Sequence, residues 1–230
     1  MRKLLRWILG LLLTGMLLSV AAVLLMRWWP PVTSAFMLEA RLEALAGGDF
    51  SLHLHHAWVD RARISPNAQL AVIASEDQKF PFHHGFDFGS IQDAVREQEE
   101  GVRSRGASTI SQQTAKNLFL WNGHSYVRKG MEAWFTVLLE LLWPKTRILE
   151  VYLNSAQFGP DVYGIEAASQ LYFHKHAAAL TRGEAAQLAA VLPNPVKLHA
   201  DRPSAYVAGR RQWILGQMRD LGDVAYLKNL

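Results

Sequence analysis

The chain contains no cysteine in its 230 residues. Disulfide stapling and cysteine-held metal sites are therefore excluded, and the absence fits a protein that works outside the cytoplasm. It has no internal repeat, no low-complexity stretch and no P-loop, so a nucleotide triphosphatase of that kind is out of view. Alternating apolar and polar runs are scarce, which argues against a sheet-built fold. An excess of either charge is also small. Lys and Arg number 24 against 20 Asp and Glu, a net charge of +4 with a sequence pI of about 9.4. Such a balance suits anionic partners, whether phospholipid headgroups, pyrophosphate or nucleic acid, and selects none of them.

What is present is half hydrophobic and 19% charged, enough to bury a core. The length suits one domain of about 200 residues plus an appendage. Residues 7–26 form an uninterrupted uncharged run, mostly apolar, long enough to cross about 30 Å of hydrocarbon as a helix. Arg2, Lys3 and Arg6 precede it, and Arg27, Trp28 and Trp29 follow. The basic flank predicts a cytoplasmic N-terminus, with the remainder outside. The run exceeds a signal-peptide core and no A-x-A site follows, so an uncleaved anchor is expected. The division is residues 1–29, a cytoplasmic stub and transmembrane anchor, and residues 30–230, one domain.

That domain reads as helices. A short one is expected over 36–45, before a turn at Gly47-Gly48. Ser65-Pro66 is an N-cap with proline at the first helical position. Residues 98–106, "QEEGVRSRG", are charged and lack apolar period, and are expected to form a mobile loop. Met131, Trp134, Phe135, Leu138, Leu139 and Leu142 make an apolar stripe that Pro144 stops. Thr181 and Glu184 form a capping box, and a last helix is expected over 204–221.

Three stretches hold polar groups that a core would not spend. "SEDQKFPFHHGFD" sets Glu76, Asp77, His83 and His84 among Phe80, Phe82 and Phe86. A solvated Glu-Asp step leaves those rings unexplained, whereas an aromatic wall would lower the local dielectric around a working carboxylate. "RGASTISQQTAKNLFLW" puts Thr109, Gln113 and Lys116 at i, i+4, i+7 with Gln112 alongside, a face suited to sugar hydroxyls or phosphate oxygens. "RKGMEAWF" sets Arg128, Lys129 and Glu132 on one flank of the amphipathic helix. That is either an ordinary surface ion pair or a cleft lining, the latter favoured because Glu132 borders the apolar stripe. Glu76 and Glu132 are thus the acid/base candidates, and Lys116, Arg128 and Lys129 the anion clamps. "KTRILEVYLNSAQFG" and "EAAQLAAVLPNP" read as largely structural.

The order and spacing of these pieces resemble the five-motif pattern of the peptidoglycan glycosyltransferases, the domain at the front of class A penicillin-binding proteins. The motifs are Glu76-Asp77-x-x-Phe80-x-x-His83-x-Gly85, Gly106-x-Ser108-Thr109-Ile110-x-Gln112-Gln113-x-x-Lys116-Asn117, Arg128-Lys129-x-x-Glu132, Ile148-Leu149-Glu150-x-Tyr152-Leu153-Asn154 and Glu184-Ala185-Ala186-x-Leu188-Ala189. The likeness covers about residues 65–220 and most resembles the single-activity members. No Ser-x-x-Lys occurs, so no penicillin-binding transpeptidase is expected. Ser111 stands where many relatives have threonine, and Gln92-Asp93 where an arginine is common, which would weaken an anion contact there.

The resemblance implies a mainly α, lysozyme-like, bilobed domain with a hydrophobic jaw on the bacterial inner membrane. It implies polymerisation of lipid II, with Glu76 as general base and Glu132, Lys116, Arg128 and Lys129 around the donor pyrophosphate. Asp77, Phe80, His83, Thr109, Gln112 and Gln113 would shape the site. No obligatory cofactor is implied, although a divalent metal (Mg or Mn) suits the pyrophosphate, and its ligands stay unassigned. The implied partners are lipid II, the growing glycan, membrane lipid and other cell-wall synthesis and division proteins, not nucleic acid. A glycan hydrolase or a non-catalytic scaffold are the rival readings. The cations beside Glu132 argue against the first, and the two glutamates against the second.

Overall fold

The computed structural model describes residues 2–100 and 108–230. The expected mobile loop at 98–106 lies mostly outside them, and Gln98 and Glu99 close a helix instead. Ten α-helices, three short 3-10 helices and three very short strands make up the regular structure of the described residues. The apolar run forms α1 (Arg2–Leu25), long and apolar enough to cross a membrane. After Pro30-Pro31, α2 (Ala35–Ala46) begins at Ser34, whose hydroxyl accepts the Met37 amide, and it ends at Gly47 as expected.

β1 (His55–His56) leads to α3 (Pro66–Glu76), which the Ser65 side chain caps through the Asn67 amide. From Ala68 to Ala74 every residue of α3 is buried, so this helix has no solvent face. It packs against both α9 (Arg182–Val191) and α10 (Ala205–Asp220), which also pack on each other. α4 (Phe88–Glu99) follows, then α5 (Ile110–Phe119), which lies against α6 (Tyr126–Leu142) and α7 (Lys145–Ser155). The Thr181–Glu184 capping box of α9 is formed as expected.

A small sheet was not foreseen. β1 pairs in parallel with β3 (Val162–Tyr163), and β3 pairs antiparallel with β2 (Gln157–Gly159). These strands hold two or three residues each, too few to leave an alternation in the sequence. Asn154, a polar residue in a stretch read as largely structural, is fully buried. Its side chain takes the Val59 amide at 2.8 Å and donates to the Val59 carbonyl at 2.9 Å, bridging segments 95 positions apart. α8 (Ile165–Phe173) completes the chain order between the strands and α9.

The upper end of α1 is fastened to the domain. Trp134 Nε1 donates to Ser19 Oγ at 3.0 Å, and Trp143 Nε1 to the Val23 carbonyl at 2.8 Å. Arg147 Nη2 donates to the carbonyls of Met26 (2.9 Å) and Trp29 (3.0 Å), with its guanidinium between the rings of Trp58 and Trp143. The apolar stripe read on α6 therefore serves two neighbours, the core through Leu138 and Leu139 and the anchor through Trp134.

Candidate active site

α5 organises the site. Thr109 is its N-cap, accepting the Gln112 amide, while the Gln112 side chain accepts the Thr109 amide at 3.0 Å. This reciprocal box satisfies two of the helix's orphan donors. A third, the Ile110 amide, is taken by Asp77 Oδ2 at 3.0 Å. Asp77 is buried, and its carboxylate faces the positive end of the helix. His83 Nε2 sits 2.9 Å from the same carboxylate, while its Nδ1 accepts the Gly85 amide at 3.1 Å. The ring proton therefore lies on Nε2 and is donated to Asp77.

Asp77, Phe80, His83, Thr109 and Gln112 are thus brought together, but as the scaffold beneath α5. Phe80 is fully buried, under the Lys145 ammonium at 4.5 Å from its ring centre, so it is no substrate contact. Phe82 is exposed and meets Tyr226 edge-on, and Phe86 stacks on Phe88. The three rings do not form the single wall expected from the sequence. The segment that carries them is a run of turns, neither helix nor strand, so the chain sends each a different way.

Glu76 ends α3, one residue before the chain turns at Asp77. Its Oε2 accepts Gln113 Nε2 at 3.0 Å and its Oε1 accepts the Ser75 hydroxyl at 3.0 Å. Arg210, from α10, donates to Ser75 Oγ at 3.1 Å and stands 3.7 Å from Glu76 Oε1. The Glu76 side chain is 13% exposed. A carboxylate so held, still open on one side, can accept a proton from a bound hydroxyl. Sequence reasoning missed Arg210. It lies outside the five motifs on a helix with no distinctive pattern, so nothing in the chain singled it out.

Three residues along α5 from Gln113, about 4.5 Å at 1.5 Å per residue, Lys116 reaches a second cluster. Arg128 Nη1 donates to Glu132 Oε2 at 2.8 Å, and Lys129 Nζ to Glu132 Oε1. Glu132 and Arg128 are both buried, while the Lys129 side chain is half exposed. Arg128 Nε is buried with no partner among the described residues. Burial pulls the Lys116 ammonium below its ordinary value; Glu132 opposes that shift, and Arg128 and Lys129 add to it. Lys116 also lies over the Phe36 ring of α2 at 5.2 Å. Three cations around one carboxylate leave a positive surplus that an anion would satisfy.

One helix therefore touches the Glu76 carboxylate through Gln113 and a cation cluster through Lys116, a layout that fits group transfer from an anionic leaving group. A family model described as Transglycosylase matches residues 47–219, and the chain belongs to that family. It is 53% identical over 230 residues to the biosynthetic peptidoglycan transglycosylase of Chromohalobacter salexigens, covering 100% of this chain and 98% of that one. It is 51% identical over 227 residues to the one from Xanthomonas axonopodis pv. citri (99% and 92%), and 52% over 212 to the one from Pseudomonas entomophila (92% and 89%). The mainly α, lysozyme-like class expected from the resemblance stands.

Proposed function

We propose that the protein polymerises lipid II into linear glycan strands of peptidoglycan, releasing undecaprenyl pyrophosphate. Glu76 takes the proton from the acceptor sugar's 4-hydroxyl as that oxygen attacks the donor's anomeric carbon, whose configuration inverts. The bond to pyrophosphate breaks on the opposite face, and Lys116, Arg128 and Lys129 neutralise the charge that develops there. Glu132 aligns those cations. The observation that carries the reading is the coupling of both ends through α5, with Gln113 on Glu76 and Lys116 beside Glu132. With no Ser-x-x-Lys in the sequence, no peptide cross-linking accompanies the polymerisation. α1 holds the domain on the outer face of the bacterial inner membrane, where a lipid-linked donor brings its own activated bond.

The described residues gather no cage of protein ligands for a divalent ion. No group of three His, Asp or Glu stands together among them, and both Glu132 oxygens are already on cations. A divalent ion here would take its oxygens chiefly from pyrophosphate and water.

The test is turnover of labelled lipid II with the products resolved by length, alongside a donor-binding assay. Glu76→Gln keeps the shape of the side chain and removes the base. Turnover should fall about 10²–10⁴-fold with binding retained. Polymerisation by Glu76→Gln at near wild-type rate would show that the base is another group. Loss of binding as complete as loss of turnover would make Glu76 a structural residue.

A further inference from the structure

Motif four reads as packing, and its Tyr152 is buried in the core at 1% exposure. Its hydroxyl nevertheless ends within the catalytic network, donating to Gln113 Oε1 at 2.9 Å. Gln113 Nε2 in turn donates to Glu76 Oε2 at 3.0 Å, with the Ser108 carbonyl 3.5 Å from the same nitrogen. An amide has one accepting and one donating end, and the two look alike in shape. Which end faces Glu76 decides whether the carboxylate meets a donor or another acceptor.

We propose that Tyr152 is a positioning residue whose hydroxyl fixes the Gln113 amide so that its NH₂ group, not its oxygen, faces Glu76. The inference rests on Glu76 being the base. The phenol is suited to this task because it always carries a proton to donate. Burial first, and then the Glu76 and Asp77 carboxylates, push its ionisation well above the ordinary value, so its proton stays on. Among the described residues Gln113 Oε1 is the acceptor that hydroxyl has, and a buried donor without an acceptor is costly. Turning the amide over would set its oxygen against the Glu76 carboxylate and its NH₂ against a hydroxyl whose own proton then has nowhere to go. Both ends of the bridge thus enforce one orientation. Removal of the hydroxyl frees the amide to turn and the carboxylate to leave its proton-accepting position.

The experiment measures kcat and KM for lipid II with Tyr152→Phe, Gln113→Leu, the double variant and Glu76→Gln, each checked for its thermal midpoint. Tyr152→Phe retains the ring and should lower kcat about tenfold, the worth of one net hydrogen bond, with KM changed less than about twofold. In the Gln113→Leu background the same substitution should cost nothing further. Gln113→Asn, which shortens the bridge while leaving Tyr152 intact, should reproduce the kcat loss and serves if Tyr152→Phe does not fold. The proposal is overturned if Tyr152→Phe turns over like wild type, or if its loss is as large with Gln113→Leu as without it. The second result would show an effect through core packing. Failure of the functional reading itself looks different, since Glu76→Gln would then remain active.

Discussion

Lys116 carries two opposing demands. Its burial penalises the ammonium, yet the proposed pyrophosphate contact needs the charge. The folded value lies below the unfolded one, so the folded state releases the proton first as pH rises, and folding stability gains through that window. Donor binding changes in the opposite sense. Affinity for a pyrophosphate-bearing donor analogue should weaken on the alkaline side before pH reaches the ordinary lysine value of 10.5, and Lys116→Gln should flatten that limb. Titration calorimetry across pH checks this, and an identical alkaline limb in Lys116→Gln refutes it. Glu132 is a different case, because its partner Arg128 is buried with it. Glu132→Gln leaves that guanidinium uncompensated and should cost roughly 3 kcal/mol of stability. A denaturant midpoint unchanged from wild type would contradict this.

At the scale of elements, the segment joining α3 to α5 is tightly constrained. Gly85 has φ +91°, and a Cβ there would come within 2.7 Å of Thr136 Cγ2 on α6. Its carbonyl accepts the Thr109 hydroxyl at 2.7 Å, so the turn and the α5 cap share one residue. Gly85→Ala should therefore lower the thermal midpoint by several degrees and reduce turnover together, since moving Gly85 moves Thr109. A destabilised variant with wild-type kcat would separate the two. Much of this was legible in the chain. Ser65-Pro66, Thr181-x-x-Glu184 and the α6 stripe announce their helices through local rules. Thr109-x-x-Gln112 obeys the same capping rule as Thr181 yet reads first as a ligand face, because hydroxyl and amide serve either purpose. Arg210 and Asn154 were illegible for another reason. Each acts across 95 or more positions of chain, on Ser75 and Val59, and no local pattern encodes such a meeting.

At the scale of the whole molecule, Arg147 joins anchor and domain. Arg147→Met removes the bonds to Met26 and Trp29 while retaining bulk between the two tryptophans. Limited proteolysis should then cut faster near residues 30–34, with turnover on soluble short-chain donor less affected than turnover in vesicles. The anchor's fastening also sets a depth. From Ser19 upward α1 is fastened to α6 and to Trp143 at its end, and what remains free of the apolar run, residues 7–18, spans only about 18 Å as a helix. Hydrocarbon about 30 Å thick cannot be crossed by that length alone. The missing length, about 12 Å, must be made up by the domain itself, whose exposed Val127, Val137 and Leu141 lie on α6, the helix that α1 packs against. The enzyme would then work partly submerged, its cations at the level of lipid phosphates rather than above them. A chain without cysteine makes this easy to measure. A fluorophore on Leu141→Cys should be quenched by lipids brominated in their acyl chains, and one on Val224→Cys should not.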